Sequence, residues 1–546
     1  TDVFTGGFNA EYGGRVSSIM DIKTKDGNKK KFGGKLTANT FGSKLLLEGP
    51  LSKNQKSSFV FSGKTSYLDK SSDIFYKEPL FTFDENGLPY SYTDLYGKIS
   101  LHGNNGSKFN IFGFNFQDLV DYENISKLSW NSNGIGSEFI LIPGNSPVLI
   151  EGNFAYSSYK ISLDEAASPL RESGISGFNM GFDFTYFKPK SKIKYGFDVH
   201  GYATDFLTYN SVNTPITQNE NTSEFSGYIN YQYTSTRLII EPGFRIQKYT
   251  LGLSPEPRLG IKYIVNEKTR LKLASGFYSQ NILSTSSDRD VVNLFSGIIS
   301  SPEEIPTQPN GDEYASKIQK AKHIITGIEF DVNNQIDFQV EAYIKDFNQL
   351  TNINRNMTSD DDDTFIIETG IARGIDALIK YNSKKLYVWL VYSLGQVKRD
   401  DGVREYSPHF DRRHNVNFVT SYKFGKKQDW KFDARWNLGS GFPFTQTQGF
   451  YENITFSDGI NTDYTSTNGD LGIQYAELNN GRLPYYHRLD ISLAKNITFK
   501  NNSKLNITAS VTNAYNRENI FYFNRVKYDR VNQLPLMPSL GMSLTF

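Results

Sequence analysis

The segment RLPYYHRLDISLAKNITFKNNSKLNITASVT, Arg482–Thr512, and the closing SLGMSLTF, Ser539–Phe546, decide how the chain folds. In the first, Leu489, Ile491 and Leu493 alternate with Asp490, Ser492 and Ala494. Leu505, Ile507, Ala509 and Val511 then alternate with Asn506, Thr508, Ser510 and Thr512. In the second, Leu540, Met542, Leu544 and Phe546 alternate with Ser539, Gly541, Ser543 and Thr545. A period of two is a β-strand with one apolar and one polar face. A soluble sandwich turns its apolar face against a second sheet of similar character. A closed membrane barrel needs no such sheet: its apolar face meets lipid, its polar face the lumen, and closure leaves no backbone edge unpaired in hydrocarbon.

The same alternation predicts strands near 33–41, 43–51, 57–68, 90–102, 107–121, 127–142, 147–163, 174–188, 192–209, 223–235 and 237–251. The second half adds 258–265, 269–280, 322–332, 335–353, 369–382, 385–398, 411–424, 429–444, 485–500, 503–514 and 538–546. The fold class is therefore all-β, a transmembrane antiparallel barrel of about 22 strands, an even number as in bacterial single-chain barrels. Tight polar turns such as Ser52–Lys56, Asn266–Lys268 and Asn501–Asn502 follow every second strand, and the other connections read as mostly long and irregular. Short periplasmic turns and long external loops give that rhythm. The first hairpin, near Phe41–Ser43, is short on the outer side. A barrel this wide needs its lumen filled.

Lys and Arg (59) balance Asp and Glu (58), so charge gives no reason to expect a nucleic-acid partner. The absence of cysteine excludes disulfides and thiolate zinc sites. No apolar run reaches the ~18 residues that suggest a spanning helix, which leaves a barrel open. The 41 Phe and 34 Tyr suit two aromatic girdles. There is no GxSxG, HExxH, P-loop or dinucleotide fingerprint, so catalysis has no candidate residues and no cofactor is expected.

The opening FTGGFNAEYGGRVSSIMDIKTK, Phe4–Lys25, carries glycine pairs at Gly6-Gly7 and Gly13-Gly14, followed by an expected strand from Val16 to Thr24. Gly7, Phe8, Ala10, Glu11, Tyr12-Gly13-Gly14-Arg15, Ser17-Ser18, Asp21-Ile22 and Thr24-Lys25 resemble the last segment of the plug domain of TonB-dependent outer-membrane receptors. Ser254–Gln280, the HFDRRHNVNF and GSGFPFT runs within His409–Thr445, and RLPYYHRLDIS with VTNAYNRENIFYF within Arg482–Phe523 look like barrel segments of the same family. Phe546, an aromatic carboxyl terminus on a strand, resembles the family's barrel-assembly signal. The resemblance is to Bacteroidetes-type receptors. It favours the branch outside the SusC-type nutrient receptors, whose run at the plug end differs. It divides the chain into residues 1–30, the end of a plug, and 31–546, the barrel.

The resemblance implies import of a scarce ligand (siderophore, vitamin, glycan or peptide) across the outer membrane of a Gram-negative bacterium, gated by the plug. The partners implied are membrane lipid and a periplasmic TonB protein that pulls on an amino-terminal plug segment. Thr1 is not a translation start, so that segment is expected upstream. A second reading is a structural or docking barrel in a larger outer-membrane complex, with a surface lipoprotein or other subunits as partners. A passive porin fits the strand count and the YGGR segment less well.

Candidate plug-to-wall contacts are Glu11, Tyr12, Gly13, Gly14 and Arg15, with Glu11 and Arg15 as ion-pair partners. Asp411, Arg412, Arg413, Arg488 and Asp490 are candidates for a polar lumen wall, although sequence neighbours on a regular strand face opposite sides. The longest loops, 281–321 and 446–484, are expected to form the vestibule that first meets ligand. Tyr92, Tyr451, Phe456, Tyr464 and Tyr475 can stack on a ligand or pack loop on loop. Asp360, Asp361, Asp362 and Asp363 form an acidic run that is a calcium candidate or a solvated charge run; it lacks EF-type spacing and a turn glycine. His409 and His414, five apart on a strand, face opposite sides, so structural hydrogen bonding in the lumen is expected of them rather than metal binding.

Overall fold

The computed structural model describes all residues except 77–89, 123–125, 145, 166–167, 211–213, 286–290, 293, 308–311, 313, 315, 356, 358–360, 454–469, 527 and 529. Among the described residues, 22 antiparallel strands run from Gly33–Asn39 to Met537–Thr545, each bonded to its neighbour in chain order. The first also pairs with the last, Lys35 opposite Thr545 and Asn39 opposite Gly541, and this closes the sheet. The short strand Glu405–Tyr406 only extends the ladder of Leu386–Asp400.

The apolar faces look outward. Ile507, Leu540, Met542 and Leu544 are exposed, and their alternates Ser539 and Ser543 are buried on the lumen side. Inward-facing polar groups such as Arg245, Glu256 and His323 are fully buried. This is the sidedness of a barrel whose solvent outside is lipid.

Each stretch read from the sequence corresponds to one strand, but several lengths differ. Three strands start earlier than their alternation: Ser168–Phe187, Pro215–Thr234 and Gly252–Ile264 begin well before 174, 223 and 258. Beyond the lipid band the outer face need not be apolar, so the pattern fades while the ladder continues. Pro255 and Pro257 read as breakers, yet they lie opposite Ile246 and Phe244. The neighbour on the other side, Thr269–Gln280, pairs only from Arg258 onward, so the missing N–H groups face no strand. Conversely, strand His414–Phe424 starts after 411, because Asp411 N–H turns back to the Pro408 carbonyl (2.9 Å). The expected strand from Val16 to Thr24 shrinks to Ile19–Asp21, paired with Asp2–Phe4.

The expectation of mostly long outer loops is corrected on one side of the barrel. Val148–Glu165, Ser168–Phe187, Ser191–Tyr209 and Pro215–Thr234 have 18, 20, 19 and 20 residues and are joined at the outer end by short links. Across the closing seam, Lys504–Thr512, Met537–Thr545, Gly33–Asn39 and Gly42–Pro50 have only 9, 9, 7 and 9 residues. That is about the minimum for crossing the bilayer. Height there comes from loops: helix Leu68–Phe75, the hairpin of Thr447–Asn453 with Asp470–Tyr475, and that of Ile520–Phe523 with Arg530–Asn532.

Two arms of the stretch after Gln280 pack into the lumen. These arms, Ile282–Thr285 and Gly297–Ser300, pair with each other. Gln218 reads Ser300 twice, accepting from its N–H (3.0 Å) and donating to its carbonyl (3.1 Å). Leu283, Phe295 and Ile299 join Ile161, Phe206 and Ile216 in a buried apolar cluster inside the mouth. Taking these groups out of water stabilises the infolded position at about 25 cal/mol per Å².

Candidate functional site

Residues 1–28 cross the lumen and are gripped by the wall mainly through their backbone. A turn in which Tyr12 N–H reaches the Asn9 carbonyl (3.3 Å) presents the carbonyls of residues 8–12 to the sheet. Arg258 donates to the carbonyls of Asn9 and Tyr12 (2.5 Å each), and Arg245 to those of Ala10 and Glu11 (3.3 and 3.2 Å). Asn230 accepts from Ala10 N–H (3.1 Å), His323 Nε2 lies 2.9 Å from the Val16 carbonyl, and Lys345 reaches those of Thr5 (2.5 Å) and Ser17 (3.0 Å). Glycine is required here: a Cβ on Gly13 would sit 2.1 Å from Arg245 Nε, and Gly7 has φ +62° against Ala274.

The wall neutralises its own guanidiniums. Arg258 is paired with the buried Glu256 (2.6 Å) and Arg245 with Asp198 (3.0 Å). The threaded segment therefore contributes neutral carbonyls, whose hydrogen bonds water can replace at a net cost of about 0.5 to 1.5 kcal/mol each. Within this turn Glu11 is the charged exception, 3.0 Å from Lys194; nearer the barrel start Lys25 also pairs with Glu48 (2.7 Å). Arg15 turns to the Gly14 carbonyl (2.6 Å) and lies in the field of Glu224 and Tyr202.

Further along, Asp26 meets Lys98 (3.0 Å), Lys108 (3.1 Å) and His102 (3.5 Å). Burial opposes ionisation, but the two lysines outweigh it and hold the carboxyl at about 2 against an ordinary 3.8. A depressed carboxyl stabilises the fold above the ordinary value and loses that contribution as pH falls through the folded one; the linkage is worth about 2 kcal/mol. Hydrogen-exchange protection of amides 24–28, corrected for intrinsic rates, is expected to drop between about pH 4 and 2. Asp26→Asn should show the low protection at every pH.

Two lumen cavities open outward of this segment. One, about 550 Å³, is lined by Val16, Lys345, Arg399, Tyr406, His409 and the infolded loop's Thr285. His409 lies in the loop before His414; burial, reinforced by Arg399, lowers its pKa to about 4, so it is neutral at pH 7. Tyr406 and Arg399 are held by Glu368, a fully buried carboxylate that also binds Arg355 (2.9 Å). The second cavity, about 460 Å³, is lined by Arg412, Arg435, Arg488, Phe442, Tyr486 and Ile520. Nothing in the local sequence marked the first cavity, because strands, a loop and the amino-terminal segment build it together.

Known structures share this architecture at low identity. The FrpB iron transporter of Neisseria meningitidis aligns over 100% of this chain and 86% of its own, with TM-score 0.69 and 12% identity. This is the barrel fold of the TonB-dependent receptors. The ferric preacinetobactin receptor BauA of Acinetobacter baumannii aligns over 98% and 83%, with TM-score 0.65 and 10% identity. A mutant of the ferric enterobactin receptor PfeA of Pseudomonas aeruginosa aligns over 100% and 84%, with TM-score 0.64 and 11% identity. No protein-family model and no curated protein sequence matches the chain.

In this receptor-type barrel the sequence candidates are dispersed. Arg488 and Asp490 pair on the lumen face (2.9 Å), two residues apart on Tyr486–Thr498. Asp411 is buried in the loop before His414, binding Arg482 (2.6 Å) and Arg413 (3.6 Å), while Arg412 stacks 4.0 Å from the Phe442 ring centre. Tyr92 faces the lumen under Lys64 (4.1 Å). Tyr451 and Tyr475 lie on opposite arms of one outer hairpin, with Arg525 over Tyr475 (5.2 Å). Asp361, Asp362 and Asp363 are exposed; Asp360, Phe456 and Tyr464 fall outside the described residues. Phe546 closes the seam through reciprocal backbone bonds with Gly34 (3.0 Å each) and packs 6.4 Å from Phe32.

Proposed function

We propose that this chain is the wall, residues 31–546, and the last gate segment, residues 1–30, of an energised outer-membrane importer. The observation that carries the reading is a segment threaded through a wide lumen and held largely by exchangeable backbone hydrogen bonds, with one small apolar cluster of Phe8 and Val16 against Tyr278 and Ala321. Water can replace each lost hydrogen bond at small net cost, so that cluster is the main apolar contact a shift would open. Pulling by a periplasmic TonB protein on an upstream part of the plug would then clear a path. The named cargo of the structural neighbours makes ferric chelates the first ligands to test, ahead of vitamins, glycans and peptides. The plug-end run favours the Bacteroidetes-type branch without an obligatory lipoprotein lid.

Cells carrying the full-length protein are expected to accumulate radiolabelled ferric chelate only while the inner-membrane gradient stands. Accumulation that survives a protonophore would refute the energised mechanism. Arg15→Glu, which places a carboxylate in the field of Glu224, should slow uptake several-fold while the barrel still assembles, seen as heat-modifiable gel mobility; normal uptake would remove Arg15 from the gate.

The exposed rings of Phe450, Tyr451 and Tyr528 on the outer hairpins favour a second reading, a docking subunit of a larger complex. Pull-down in mild detergent separates the two: a stoichiometric partner supports docking.

A further inference from the structure

We infer that the 460 Å³ recess bordered by Phe442, Tyr485, Tyr486 and Ile520 binds a small molecule bearing carboxylate or phosphate groups, through Arg412, Arg435 and Arg488. The site stands on its own geometry; that its occupant is transported cargo rests on the import reading.

Among the described residues, the charged groups lining the recess are these three arginines and a single carboxylate, Glu518, which is mostly exposed and 3.7 Å from Arg530. The excess is local, because the whole chain carries a formal net charge of only +1. Other lumen arginines are matched: Arg171, Arg245, Arg258 and Arg355 each contact a carboxylate within 3.0 Å. In the recess only Arg488 has such a neighbour, Asp490, whose second oxygen already accepts the Asn513 N–H (3.0 Å). Among the described residues, Arg412 and Arg435 have no carboxylate within 4.0 Å.

Arg412 is also positioned for a ligand. Its guanidinium lies 4.0 Å from the Phe442 ring centre and 5.7 Å from that of Tyr486, and its buried Nε has no hydrogen-bond partner. Stacking fixes the plane of a guanidinium while leaving its N–H edge available for bidentate binding of an oxyanion. Arg435 reaches the same space from the lumen face of Trp430–Gly439, directly across the ladder from Asp490 and two residues from Asn437. Unmatched cations in a lumen of reduced dielectric repel one another. An anionic guest relieves that repulsion. The volume suits a small molecule rather than a polymer.

Calorimetric titration of the full-length protein in detergent, with citrate, with pyrophosphate and with glucose as neutral control, tests the site. We expect binding of citrate, pyrophosphate or both, weakening as salt rises; which of them binds assigns carboxylate or phosphate as the preferred group. Affinity should fall about tenfold or more in Arg412→Gln and in Arg435→Gln, less in Arg412→Lys, and not at all in Lys495→Gln at the far end of the neighbouring strand. Heat-modifiable mobility confirms that each variant is folded. Absence of oxyanion binding, equal affinity in the glutamine variants, or glucose binding as tightly would overturn the assignment. Lost binding with intact energised uptake would refute this site alone. Intact binding without energised uptake would refute the import reading alone.

Discussion

Arg258→Ala is expected to free the amino-terminal segment from the wall. Glu256 would stay fully buried, its guanidinium partner at 2.6 Å gone and only the Ser279 hydroxyl left to bind it. An uncompensated buried charge costs about 3 to 5 kcal/mol. The carbonyls of Asn9 and Tyr12 lose their donor in the same step. Amides 8–12 should therefore lose hydrogen-exchange protection, thermal stability should fall, and single-channel conductance in planar bilayers should rise. Adding Glu256→Gln separates the two losses: the double variant should regain most of the stability and none of the protection. Unchanged protection in Arg258→Ala would show that the segment is held elsewhere.

The second large effect is expected at Glu368→Ala. This carboxylate ties Arg355 (2.9 Å), Arg399 (3.3 Å) and the Tyr406 hydroxyl (2.7 Å) together. Arg355 keeps Asp401 (2.8 Å), so one guanidinium is left short of a counter-charge rather than two, a loss of about 3 kcal/mol. Loops 354–364 and 401–413 should exchange faster, and the 550 Å³ cavity should lose its shape on that side. Glu368→Gln keeps an acceptor for Tyr406 but not the charge, and should fall between the two. A melting temperature equal to wild type in Glu368→Ala would deny the network its stabilising role.

The barrel was legible because lipid imposes a period of two on every strand, and Leu489 to Leu493 or Leu540 to Phe546 can satisfy it in one way only. Where lipid stops, so does the signal: Ser168–Ser173 continues the ladder with only Leu170 apolar and exposed, and Pro215–Thr222 continues it with no apolar face to announce it. Glu11 stood out as a charge in a glycine-rich run, and the structure gives it Lys194. The principal holders, Arg245, Arg258, His323 and Lys345, went unnoticed because each reads as an ordinary polar alternate of its strand. What distinguishes them is a backbone carbonyl more than 200 residues away in sequence, and no local pattern encodes that. The arginine recess was half visible: Arg412 and Arg488 were candidates, but Arg435 joins them only through register with Asp490.

The unequal strand lengths divide the rim mechanically. Bending the wall between Val148 and Thr234 would tear ladder bonds on both flanks, whereas the hairpins of Thr447–Asn453 with Asp470–Tyr475 and of Ile520–Phe523 with Arg530–Asn532 stand clear of the barrel ladder. Side chains brace the second of them instead, the Tyr522 hydroxyl on Glu165 (3.0 Å) and Phe521 against the apolar cluster inside the mouth. One arc of the rim is thus stiffened by backbone and the other by side-chain struts, and Ile520 at the foot of the strutted arc borders the three arginines.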